Sequence, residues 1–335
     1  MSTAAVPSPQ QLAAEFRELA LSLGFDLVGI APAGPSPHAD FLRRWIAAGH
    51  AGEMRYMADS IEDRIDPARL LPGVRSILCV AMNYNPGEAG AAEASAAGRV
   101  ARYARGDDYH DVLKKGLHKL ADEIRARYPG SKTKCGVDIS AILEREAAAA
   151  TGIGWIGKNT CLIHPQLGSW LVLGEVMTTL KLEPDAPLAD HCASCRRCLD
   201  ACPTGALTAP YELDARRCIS YLTLELQRPL EAAERAELNG WLVGCDICQK
   251  VCPWNQRAPL TRHLAFQNRQ PQGVLPLADV LAWDEPTYRQ RTRKSAIRRM
   301  KLPVLQDRAR ALLEWRIAPA ARGGAGDERG RDPIA

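Results

Sequence analysis

Cys192-Ala-Ser-Cys195-Arg-Arg-Cys198-Leu-Asp-Ala-Cys202-Pro203 and, further on, Cys245-Asp-Ile-Cys248-Gln-Lys-Val-Cys252-Pro253 decide how this 335-residue chain is read. Eight of its eleven cysteines crowd between residues 192 and 252, two or three residues apart within each run, as metal-bound thiolates are. Disulfides are the other use of so many cysteines. The start of the chain lacks a basic segment followed by an apolar core, so nothing there indicates the oxidising export route. Arg43-Arg44 is a twin arginine, but it lies deep in the chain within an amphipathic stretch, 41–48, that reads as a helix. Cys135 stands apart from the runs, as do Cys79 and Cys161, which read as small buried hydrophobes.

The first run has the bacterial ferredoxin spacing, in which three close thiolates hold one [4Fe–4S] cubane and the fourth serves the other cluster. The second run has the last three positions of that spacing and lacks the first. Cys218, 27 residues before Cys245, is the nearby cysteine left to fill it. The ferredoxin rule then gives one cluster on Cys192, Cys195, Cys198 and Cys252, and another on Cys202, Cys218, Cys245 and Cys248. Two four-cysteine zinc sites are the alternative, but the interlocked triplets and the Cys-Pro endings favour clusters. Two cubanes side by side make an electron wire, and the long stretch before residue 190 argues for a catalytic domain at its end.

Around this region the chain alternates helix and strand signals. Ser8 and Pro9 open a helix that Gly24 closes. Strands are expected at 25–31, 76–83 (SILCVAMN), 135–139 and 171–182, with helices at 108–128 and 141–150. Residues 87–98 read as an exposed loop. The fold class expected is α/β or α+β. The division is a catalytic domain over 1–183, a two-cluster module over 184–260, a basic helical segment over 261–317 and a disordered tail over 318–335. Apolar content of 46% suits a real core, and no stretch is long and apolar enough to span a bilayer. Net charge is only +4, but residues 289–310 carry nine Lys or Arg against Asp307 alone. That run is either a solvated helical face or a phosphate-tracking surface.

Several segments together resemble the epoxyqueuosine reductase family: GEMRYM at 52–57, RYARGDDYH at 102–110, Val137-Asp138 with LERE at 143–146, and GIGWIGKNTC at 152–161. Gly168-Ser169, Gly174-Glu175, RCISYLTLE at 217–225 and GCDICQKVCPWN at 244–255 extend the match. The resemblance runs from about residue 10 to residue 315. It implies a domain like that of reductive dehalogenases holding cobalamin, fed by two [4Fe–4S] clusters in a ferredoxin-like module. It also implies reduction of epoxyqueuosine to queuosine at the wobble base of tRNA. The family's proton donor falls on Asp138, which would then have to be protonated near neutrality, with its pKa raised. Cobalamin contacts are expected from Arg64, Tyr103, Asp138, Ser169, Ser220 and Asp246, with Asp246 lying between two cluster ligands.

Asp108-Tyr-His110 looks like the start of the Asp-x-His-x-x-Gly corrinoid motif, but Leu113 stands where glycine belongs, so His110 reads as coincidence. Glycines at 152–157 and 168 read as room for the flat ring. With tRNA as substrate, Arg293, Lys294, Arg298, Arg299 and Lys301 become candidate phosphate contacts. A cytoplasmic monomer served by an unidentified electron donor is expected. The rival readings are another corrinoid reductase of the dehalogenase type, a non-catalytic ferredoxin-like electron carrier, and a zinc-stabilised tRNA-binding protein.

Overall fold

The computed structural model describes residues 7–88, 96–138, 140–269 and 273–317. The tail expected to be disordered, most of the 87–98 loop and Ile139 lie outside these residues. Among the described residues no helix is long and apolar enough to cross a membrane.

The N-terminal half is organised by one fully buried strand, β2 (Ser76–Asn83), whose eight residues are all buried. Side chains alternate across a strand, so Leu78, Val80 and Met82 enter one core while Ile77, Cys79 and Ala81 enter another. The first core is closed by helix α1 (Pro9–Ser22) and by α2 (Tyr109–Arg127), through Phe16, Leu113, Leu117, Leu120 and Ile124. The second is closed by α3 (Glu144–Ala149), with Ile142 and Ala148. Strands β1 (Leu27–Pro32), β4 (Thr133–Gly136) and β5 (Leu171–Thr178) complete a sheet of order β1-β2-β5-β4. Every pairing in it is antiparallel, which resolves the fold class to α+β. Helix α1 begins as its sequence promised: Ser8 and Gln11 form a reciprocal capping box and Pro9 sits in the first turn.

A second, three-stranded sheet joins distant parts of the chain. Its centre, β3 (Ala97–Val100), pairs in parallel with β6 (Trp241–Val243) and antiparallel with β7 (Val274–Pro276). Two expectations are corrected here. Ala97 and Gly98 are buried strand, not exposed loop. Segment 261–317 also carries a strand, because β7 covers the open edge of β3. After it come short helical turns and a final helix, α6 (Leu302–Ile317). Arg308 on that helix is fully buried and donates to the carbonyls of Leu222, Leu226 and Arg228 at 3.1, 2.6 and 2.7 Å. It is a structural tie, not part of a solvated basic face.

Candidate active site and cluster region

Strand β4 ends at Gly136, and the chain turns outward through buried Val137 to Asp138. Asp138 adopts φ +52°, a left-handed conformation that side-chain-bearing residues rarely hold without support. The start of α2 meets it there. Asp108 caps that helix and accepts from the His110 backbone N–H, turning the imidazole toward the loop. His110 Nδ1 lies 2.7 Å from Asp108 Oδ1, and its Nε2 lies 2.8 Å from Asp138 Oδ2. Tyr109 donates its hydroxyl to the same Asp138 oxygen at 2.8 Å. Arg299 closes the group, 3.7 Å from Asp138 and 2.9 Å from Glu225.

This geometry overturns the expectation that the Asp138 pKa is raised. Crowding by protein pushes it up, but the hydrogen bonds from His110 and Tyr109, with the charges of His110 and Arg299, outweigh that and hold it below the ordinary carboxylate range. The proton sits instead on His110, whose pKa is raised to about 9: desolvation opposes charging, and the two carboxylates prevail. Raised values fall instead on Asp246, through burial, and on two glutamates near Asp138. Burial, and repulsion by Asp138, lifts Glu144 to about 7, and burial beside Glu144 lifts Glu175 well above its usual range.

The residues expected to touch a corrinoid are spread around this centre. Arg64 is buried, donates to the Ser140 carbonyl at 3.3 Å and lies over the Tyr56 ring. Tyr103 packs edge-on against Tyr109 and feels the charges of both Asp246 and Asp138. Ser169 is engaged: its hydroxyl donates to Gln249 at 2.9 Å and accepts from Asn255 at 2.8 Å. Ser220 lies two residues past Cys218, at the start of the wide turn 221–225. Asp246 is 1% exposed, accepts the Arg102 N–H through Oδ2 at 2.9 Å, and leaves Oδ1 buried with no partner. An orphaned acceptor is costly, and the amide fringe of a corrinoid offers donors that suit it. Asp246 thus fits such a ring. The glycines do not need one: a side chain at Gly154 would strike the Ile163 carbonyl, and one at Gly168 the Asn255 amide. Those positions are small because the protein packs there.

The eight clustered cysteines form two groups of mutual neighbours. Cys198 feels the charges of Cys252 and Cys192, and Cys252 those of Cys192 and Cys195. Cys245 feels Cys218 and Cys202, and Cys248 feels Cys245 and Cys218. The short helices α4 (Arg197–Asp200) and α5 (Ile247–Lys250), which carry Cys198 and Cys248, pack together. None of the eleven cysteines is in a disulfide. Among the described residues no three His, Cys, Asp or Glu converge as a single-ion site. Residues flanking the first triplet are exposed, whereas Val243, Gly244 and Asp246 around Cys245 are buried, so the second neighbourhood is the inner one. Cys161 was expected to be plain packing, yet it contacts Cys248.

Of the basic candidates, Arg293, Lys294, Arg298 and Lys301 are exposed, while Arg299 turns inward to Asp138. The Lys294 carbonyl accepts the Asp108 N–H, so this basic loop borders the site directly. Sequence reading missed Tyr109, Glu144, Glu175 and Glu225 and set His110 aside. The signal for His110 was present in its place two residues from a helix cap, but only the approach of the loop after β4 brings Asp138 to its other ring nitrogen.

A family model described as epoxyqueuosine reductase QueG matches residues 64–139, and one described as a 4Fe-4S double cluster binding domain matches residues 191–255. The epoxyqueuosine reductase of Gloeobacter violaceus is 43% identical over 308 residues, covering 90% of this chain and 95% of its own. That of Escherichia coli K12 is 38% identical over 293 residues, covering 87% and 77%. An epoxyqueuosine reductase crystallised with an epoxyqueuosine-modified tRNA-Tyr stem loop superimposes with a TM-score of 0.87 at 32% identity, covering 94% of this chain and 84% of that one. A Bacillus subtilis structure, described as having an aspartate catalytic loop swung out of the active site, gives a TM-score of 0.85 at the same identity and coverage.

Proposed function

This chain belongs to the epoxyqueuosine reductase family, and from that premise we propose that it is the oxidoreductase that converts epoxyqueuosine to queuosine at the wobble position of tRNA. The observation that carries the reading is the Asp138–His110–Tyr109 centre beside the inner cysteine neighbourhood. A relative crystallised with an epoxyqueuosine-modified stem loop, and another with a catalytic aspartate loop, agree with it.

Deoxygenating an epoxide takes two electrons and two protons: both C–O bonds break, a C=C bond forms, and the oxygen leaves as water. A cobalamin bound against Asp246 would supply low-potential electrons to the epoxide carbon. Two [4Fe–4S] clusters, on Cys192, Cys195, Cys198 and Cys252 and on Cys202, Cys218, Cys245 and Cys248, would relay those electrons inward. The protein's own task is the proton. As the epoxide opens, its oxygen gains negative charge and needs an acid beside it. The Asp138 carboxylate is more exposed than the His110 ring, and the protonated His110 Nε2 lies 2.8 Å from its Oδ2. Proton transfer to the developing alkoxide through Asp138 leaves His110 neutral, and Tyr109 steadies the carboxylate meanwhile. Arg293, Lys294, Arg298 and Lys301 would hold the anticodon phosphates while the base is extruded into the site.

The test is anaerobic incubation of the cluster-loaded protein with tRNA carrying epoxyqueuosine, cobalamin and a chemical reductant. Nucleoside mass spectrometry should show queuosine only when cobalamin is present. A protein holding both clusters and the corrinoid that forms none would contradict the proposal.

A further inference from the structure

Behind Asp138 the sheet buries a carboxylate that the chemistry above does not use. Glu175 lies in the middle of β5, opposite Cys79 on β2 and Gly136 on β4. It shares its face of the strand with Leu173 and Met177, which belong to the apolar core closed by α3. It is fully buried, and neither of its oxygens has a hydrogen-bond donor. The group it meets is a second carboxyl, that of Glu144 at the start of α3. Two ionised carboxylates are both acceptors and repel, so contact between them in a dry place requires a proton on one. Glu144 also accepts the backbone N–H of Asp138 through Oε1. That bond fixes the residue that holds a left-handed backbone, φ +52°.

We propose that Glu144 and Glu175 share a proton, and that the pair acts as a positioning device locking the Asp138 loop against His110. This rests on the reading of Asp138 as the proton-transferring group. Neither glutamate touches the reacting atoms; they act through the loop.

The charged and titratable groups facing the pair come from every neighbouring element. They are His110 and Tyr109 on α2, Asp138 on the loop, Arg145 on α3, Arg64 on the helical turn 61–65, and Cys79 on β2. The cations act on Glu144, and among the described residues the titratable groups that act on Glu175 are Glu144, Asp138 and Cys79. The shared proton therefore stays with the buried partner when Glu144 ionises. Loss of that last proton would place two negative charges in contact behind Asp138 and drive Glu144 off the Asp138 amide.

The experiment uses the holoenzyme and two readouts that do not depend on turnover. Infrared difference spectra near pH 8 should show the C=O stretch of a neutral carboxylic acid in the wild type and not in Glu175→Gln, whose amide donates to Glu144 without needing the proton. Hydrogen exchange at the Asp138 amide should stay slow in Glu144→Gln, which keeps an acceptor, and become fast in Glu144→Ala. The rate of queuosine formation should fall by roughly 100-fold in Glu144→Ala, with KM for tRNA nearly unchanged and Glu144→Gln restoring most of the loss. A neutral-acid band unaltered in Glu175→Gln would overturn the shared proton. Wild-type exchange at Asp138 in a folded Glu144→Ala protein would overturn the positioning role. If the protein turns over no epoxyqueuosine, the proposed activity fails while the infrared and exchange results still decide the pair.

Discussion

His110 has a carboxylate on each ring nitrogen, Asp108 at 2.7 Å and Asp138 at 2.8 Å, so both nitrogens must donate and the ring holds its proton up to about 9. Its raised pKa is also a stability term. The stabilisation is fully present below the ordinary histidine value, about 6.5, and is lost as pH rises through about 9. His110→Gln should therefore lower the melting temperature at pH 7 and leave it nearly unchanged at pH 10. The same variant should remove a basic limb near pH 9 from the pH profile of queuosine formation. A limb that persists in His110→Gln would assign it to another group. At this scale the sequence was half legible. Asp138 could be placed by resemblance, but its protonation could not, because the partners that set it come from α2 and from Arg299, 161 residues further along the chain.

Among the elements, β2 and β5 were readable because a strand buried on both faces is a continuous apolar run bounded by turns. Glu175 breaks that pattern, and its cost should be measurable. Glu175 and Glu144 both bind protons more tightly folded than unfolded. Stability is therefore lost as pH rises from the ordinary glutamate range, about 4.3, through the raised values. Glu175→Gln should melt higher than wild type at pH 8, by about 1–2 °C for each kcal/mol recovered, with the gain vanishing near pH 4. An equal gain at both pH values would mean that the glutamate is not protonated in the fold. The β3–β7 pairing was not legible. Strands of three or four residues carry too little periodicity, and β3 finds its neighbours about 140 and 175 residues away along the chain. The cysteine runs were legible because ligand spacing is a local property. Their pairing makes a further prediction: Cys218→Ser should reduce bound iron from roughly eight to roughly four per chain, with the outer cluster retained. Loss of all iron would mean that the two clusters do not form independently.

Across the whole molecule, one site draws on every region of the chain. Arg64, His110 and Asp138 come from the four-stranded half, Asp246 from the cysteine region and Arg299 from the C-terminal segment. The exposed Arg293, Lys294, Arg298 and Lys301 border that site, so tRNA affinity should depend on salt. Replacing all four with alanine should weaken binding and lower the slope of log K against log salt by roughly three, at about 0.7 per lost single-strand phosphate contact. An unchanged slope would return these residues to the role of a solvated face.

The most direct measurement of the central claim is single-turnover conversion of epoxyqueuosine tRNA by wild type and by Asp138→Asn, both with clusters and corrinoid confirmed as intact. The account predicts queuosine from the wild type and a rate lower by about 10²–10⁴-fold from Asp138→Asn, with tRNA binding retained. Equal rates would show that the proton reaches the epoxide by another route and would remove Asp138 from the chemistry.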